Sequence, residues 1–229
     1  MKKIILFAYL PLALFTVMCS NQKKNEKEEL VVLFKEFVNE LVYLRQSYNA
    51  RVDSIQTVEI GDISYIKDIP KIEKIKSTIN QQRLVDNWNY SKNENLFSNW
   101  KEKFDSTFQN SADEEIQSFL KVLNDSYSEV NETRNKMSEL ESNYLSSYEK
   151  YLDFLIENNN RIKLENGNIV IDTQHILTEY NIVLKNYIKN ESAFHEYAKD
   201  RKNVLSNQII KINSELNIQE VNNAIEVMK

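Results

Sequence analysis

The chain has 229 residues, 41% hydrophobic and 28% charged, with a net charge of −5, two glycines, two prolines and one cysteine. Acidity without a basic block removes any electrostatic reason to bind nucleic acid, or anionic lipid directly. So little glycine and proline disfavours a many-stranded sheet, and a single cysteine leaves the body no disulfide and no Cys-ligated metal site.

Met1-Lys2-Lys3 is a short positive region, and 4–18 is an uncharged, mostly apolar run. That run is too short to span a bilayer comfortably but suits the core of a signal peptide. Cys19-Ser20-Asn21-Gln22 follows, then a Lys/Glu-rich stretch. This arrangement resembles a bacterial lipoprotein signal. The resemblance implies a leader removed before Cys19, a diacylated Cys19 and membrane attachment through it. Met18 departs from the small residue such signals place before the cysteine; an uncleaved anchor or a cut nearby are the other readings. Ser20 in place of an Asp favours the outer membrane in a Gram-negative host. Lys27-Glu28-Glu29 loosely resembles the surface-export signals of Bacteroidota lipoproteins. The expected organisation is a signal peptide at 1–18, a lipidated polar tether at 19–27 and one helical domain at 28–229.

A first helix carries Leu30, Leu33, Phe34, Phe37, Leu41, Leu44, Tyr48, Val52 and Ile55 on one face. Gly61-Asp62 and Pro70 bracket a turn region, in which Ile60, Ile63 and Ile66 can pack as an irregular cap. A second helix is predicted over 71–88, burying Ile72, Ile75 and Ile79. Ser91-Lys92-Asn93-Glu94 has the form of a capping box and predicts a new short helix with Leu96, Phe97, Trp100 and Phe104. Ser111-Ala112-Asp113-Glu114 repeats that form at the head of a rod over 111–158. Along it Ile116, Leu123, Val130, Met137, Tyr144 and Tyr151 keep a heptad spacing. Such a rod is about 70 Å long and needs other helices to cover its seam. The apolar layer is thinnest at Met137, which has polar Thr133 and Arg134 one turn back.

Beyond Asn158-Asn159-Asn160 the period changes to alternation. Asn166-Gly167 between Ile162/Leu164 and Ile169/Ile171 predicts a β-hairpin near 161–171. Asp172 or Thr173 then caps a last long helix to Leu216, and 218–229 continues it or frays. The fold class expected is all-α: an elongated bundle of long antiparallel helices with one small hairpin. A rod ending at 148–156, this hairpin, Thr173 and Glu179-Tyr180-Asn181 together resemble the YiaF-like family, bacterial lipoproteins of largely helical build. That family brings no established activity and no site residues to carry over.

Candidate chemistry is sparse. His175 and His195 are 20 residues apart on one helix, about 30 Å, and are expected in solvent rather than on one metal. No metal, cofactor or nucleophile motif is expected. Glu139 and Glu141 flank Leu140 and are expected as solvated surface. Tyr144, Tyr148 and Tyr151 lie at i, i+4 and i+7, and Tyr180 and Tyr187 repeat the spacing beyond the hairpin. They form either an aromatic groove for a glycan, peptide or headgroup, or a tyrosine-rich core; the core is favoured. Trp88, Tyr90 and Trp100 are a second candidate patch. The function expected is non-enzymatic binding or scaffolding by a lipid-anchored envelope protein. A surface lipoprotein binding host or glycan components is an alternative, and an envelope hydrolase using scattered carboxylates is a more distant one, for which the sequence places no clustered pair of acids.

Overall fold

A computed structural model of the protein describes residues 6–55, 63–201 and 203–228. The Met1-Lys2-Lys3 region, the Gly61-Asp62 turn and Ile60 lie outside the described residues. The chain runs α1 (Leu6–Asp53), a 3-10 turn (Ile63–Lys67), α2 (Ile69–Phe108), α3 (Glu114–Glu157), β1 (Ile162–Glu165), β2 (Asn168–Ile171), α4 (Gln174–Arg201), α5 (Val204–Leu216) and α6 (Gln219–Met228). The fold is an all-α bundle with one two-stranded antiparallel hairpin, as expected. No described helix is long and apolar enough to cross a membrane.

The chain divides into two compact units. The first comprises the described residues of 1–43, 95–129 and 205–229; the second comprises those of 44–94 and 130–204. In the first, Glu36 pairs with Lys103 and Glu40 bonds Trp100, so α1 and α2 run antiparallel there. Its core is aromatic: Phe34, Phe37, Phe104 and Phe119 are each at most 1% exposed. Phe119 meets Phe34 edge-on at 5.5 Å and Phe104 at 5.6 Å. Such contacts add about 0.5–1.5 kcal/mol per pair beyond the area buried.

In the second unit Lys76 pairs with Asp153 and Arg83 with Glu149, which sets α2 antiparallel to α3. Ile72, Ile75 and Ile79 pack there with Leu152, Leu155, Ile162 and Ile176 around Tyr151 and Tyr180. Ile66, one residue of the expected cap, is 1% exposed in this core. Lys67 Nζ donates to the Asn159 and Ile162 carbonyls and clasps the hairpin's root.

The boundaries differ from the expectation where caps and breaks were weighed. α1 is continuous through 20–27, the stretch expected as a tether. That segment contains no glycine or proline, and its Lys, Glu and Gln are good helix formers. α2 likewise runs unbroken through Ser91-Lys92-Asn93-Glu94. Asn93 donates back to the Asn89 carbonyl at 2.9 Å, so its amide is satisfied inside a helix instead of starting one. α2 begins at Ile69, two residues early, because Asp68 Oδ1 caps Lys71 N at 3.0 Å and Pro70 is tolerated in the first turn.

The cap of α3 is Asp113, whose Oδ1 accepts Glu115 N at 3.0 Å; Ser111 Oγ accepts Asp113 N one step earlier. The heptad seam is buried at Ile116, Leu123 and Tyr151 but only half-buried at Val130 and Met137. The expected last helix is three helices. α4 and α5 separate at 202–203, and their buried faces belong to the second and first unit respectively. α5 ends at Asn217, which takes φ +51°. There Asn213 Nδ2 donates to the Ile218 carbonyl and its Oδ1 accepts Ile218 N, both at 3.0 Å.

The hairpin pairs Ile162 with Ile171 and Leu164 with Ile169. Asn166 at φ +52° and Gly167 at φ +77° supply the two positive angles of a primed turn. A Cβ on Gly167 would meet nothing within 4 Å, so any penalty there is backbone strain and not collision. Gly167→Val is expected to cost about 1–3 kcal/mol, and Gly167→Asn clearly less because Asn tolerates this region. Thermal melting of the two variants checks it. Coincident melts of Gly167→Val and parent would mean the turn carries no such strain.

Candidate functional site

Helical spacing puts Tyr144, Tyr148 and Tyr151 on one face of α3, and antiparallel packing brings α4 against it. Tyr187 stacks on Tyr148 at 4.7 Å, on Tyr151 at 5.7 Å and on Tyr144 at 6.1 Å. Tyr180 lies 6.1 Å from Tyr151, and Phe194 stacks on Tyr144 at 5.6 Å. All five predicted tyrosines are therefore together. Yet Tyr148, Tyr151 and Tyr180 are buried, so they are core members and not the lining of an open groove. The Tyr187 hydroxyl, at the edge of the cluster, donates to Glu191 Oε1 at 2.8 Å. Burial raises the pKa of every one of these phenols. His175 and His195 are both exposed.

The second patch is not assembled. Trp88 and Trp100 are 12 residues apart on α2, about 18 Å. Trp100 is buried against Phe37 and Phe104, and its Nε1 donates to Glu40 at 2.8 Å. Trp88 lies under the Arg51 guanidinium at 4.1 Å. Tyr90 turns to α3.

A polar depression of about 210 Å³ runs between α3 and α4, lined by Asn143, Ser146, Ser147, Lys150, Val183, Asn186 and Asn190. Its walls offer amides, hydroxyls and one ammonium.

A second feature lies among α1, α2 and α3 in the second unit. The buried stripe Ile72, Ile75, Ile79 on α2 continues in phase to Gln82, Asp86 and Tyr90, which brings polar side chains into the packed interior. Asp86 is 3% exposed. Its Oδ1 accepts the Tyr48 hydroxyl from α1 at 2.9 Å, and its Oδ2 accepts Gln82 Nε2 at 2.7 Å. Glu141 of α3 lines the same cavity as the Asp86 carboxyl and accepts the Tyr90 hydroxyl at 3.0 Å. Burial, then the charge of Asp86, push the Glu141 carboxyl up to about 8. Tyr48 and Tyr90 are also raised, by burial first and by the carboxylates second.

Glu141 is thus not the solvated surface residue expected. Two helical residues turn about 200°, so Glu139 faces water, paired with Lys136 at 2.9 Å, while Glu141 turns inward. The signal was available in Asp86, an acid in phase with an isoleucine stripe. A cavity of about 50 Å³ adjoins the pair, lined by Arg83, Asp86, Asn87, Ser138, Glu141, Ser142 and Leu145. Each acid oxygen named above accepts a hydrogen bond from a neutral donor.

Compared with protein-family models, with curated proteins and with solved structures, the chain matches none.

Proposed function

We propose that this is a lipid-anchored cell-envelope protein whose helical body binds or scaffolds a partner through its surface, without catalysis of its own. The observation that carries the reading is the order Lys2-Lys3, uncharged run 4–18, Cys19, polar stretch. The likeness at the hairpin and Glu179-Tyr180-Asn181 to envelope lipoproteins points the same way. Ser20 after the cysteine favours the outer membrane of a Gram-negative host.

The start of the body suits an anchor close by. Lys27 Nζ reaches Glu115 at 2.6 Å and Asp113 at 3.6 Å, and Ser111 Oγ donates to Glu26 at 2.6 Å. These contacts fasten α1 to the head of α3 within eight residues of Cys19. Cys19→Ser is expected to abolish labelling by a fatty-acid probe and to release the protein from the membrane fraction, since firm retention takes two acyl chains. Unchanged labelling would overturn the anchor.

The polar depression at Asn143, Asn186 and Asn190 favours a second reading, a surface lipoprotein that binds a glycan. Protease accessibility on intact cells separates it from a periplasm-facing protein, and cross-linking in cells with mass spectrometry identifies a partner. An envelope hydrolase would use Asp86 and Glu141. The space of about 50 Å³ beside them suits a water rather than a sugar ring, which keeps the binding reading ahead.

A further inference from the structure

The Asp86–Glu141 pair plays no part in anchoring or surface binding, and it sits where three helices of the second unit meet. α1 contributes Tyr48, with Arg45 5.7 Å from the Tyr48 ring. α2 contributes Gln82, Arg83, Asp86 and Tyr90; α3 contributes Glu141 and Glu149. The cation at the cavity, Arg83, already gives its Nη2 to Glu149 at 3.2 Å. Its Nη1 reaches Asn80 and its buried Nε has no partner, so the donors that bond the two acids are neutral: two phenols and an amide. Neutral donors can satisfy one buried negative charge but offset two adjacent ones poorly.

We propose that Asp86 and Glu141 hold a single proton between them, and that this shared proton makes the packing of α1, α2 and α3 in the second unit weaken as pH rises. In the protonated pair Asp86 accepts three hydrogen bonds, from Tyr48, Gln82 and Glu141, and Tyr90 serves the remaining side of Glu141. Losing the proton removes the Glu141-to-Asp86 bond and sets two carboxylates against each other in a site largely screened from bulk solvent. The sign follows from linkage. Glu141 binds its proton more tightly folded, at about 8, than its ordinary value of 4.5. The folded state then holds more protons than the unfolded one between those values, so stability falls with rising pH across that window and levels off above it.

The test is amide hydrogen exchange on the full chain between pH of about 5.5 and 7.5, corrected for the intrinsic pH dependence of exchange. Protection of amides at 44–53, 82–94 and 134–145 is expected to fall by up to about tenfold per pH unit. Glu141→Gln keeps the size and the donor, and should abolish that slope. A flat profile in the parent, or the same slope in Glu141→Gln, would overturn the proposal. Carbon-13 NMR of the Glu141 carboxyl decides it without any variant. Titration near 8 supports the shared proton, and titration in the ordinary carboxylate range refutes it.

Discussion

Phe119→Ala is expected to cost about 3–5 kcal/mol, a large share of the stability of any domain. The ring is fully buried and is held edge-on by Phe34 and at a tilt by Phe104. Alanine would remove those contacts and leave a hole whose walls belong to three helices. Phe119→Leu, which keeps more of the volume, should lose roughly half as much or less. Urea unfolding followed by tryptophan fluorescence reads this, because Trp100 packs 5.7 Å from Phe104 in the same core. Matching midpoints for parent and Phe119→Ala would show that the aromatic cluster does not hold the first unit together.

Leu152→Asp should be at least as damaging, for a different reason. Leu152 is 0% exposed in the second unit, and its neighbours are apolar. A carboxylate there meets no partner, at a cost of several kcal/mol. Met137→Asp, on the same helix, is expected to be milder, because Met137 is only half-buried. Glu139→Ala, on the solvent side, should stay within about 0.5 kcal/mol. Thermal melts of the three variants should fall in that order. Equal losses at 152 and 137 would mean that Met137 is buried as fully as Leu152.

Periodicity made much of this fold legible. The hairpin was readable because Asn166-Gly167 is a local steric statement: few other pairs adopt two positive φ angles so readily. α3 was readable because forty-odd residues kept one phase without a breaker. Helix ends were less so. Ser91 and Ser111 offer the same cap chemistry, yet neither is the cap: α2 runs on through the first, and Asp113 caps α3 beside the second. A capping side chain only shifts a balance that buried apolar residues decide. Leu96, Phe97 and Trp100 continue the stripe of α2, so packing carries the helix past Ser91. The candidate aromatic site divided for the same reason: Tyr144 to Tyr187 share a core because two stripes face each other. Trp88 and Trp100 share only sequence proximity. The burial of Glu141 is not legible in charge composition, which describes a whole helix, whereas burial depends on the angle of each residue around it.

The clasp between Lys27 and the head of α3 bears on how this protein would stand at a membrane. For a chain anchored at Cys19, eight helical residues to Lys27 span about 12 Å. That is close to the Debye length of about 10 Å at 0.1 M salt. Were Lys2 and Lys3 lost with such a leader, the net charge would go from −5 to −7, and an acidic body would stand at the edge of the headgroups' electrostatic reach. Ionic strength, and not slack in a tether, would then set how closely the body approaches the bilayer: held off an anionic leaflet in dilute medium, free to settle toward it in salt.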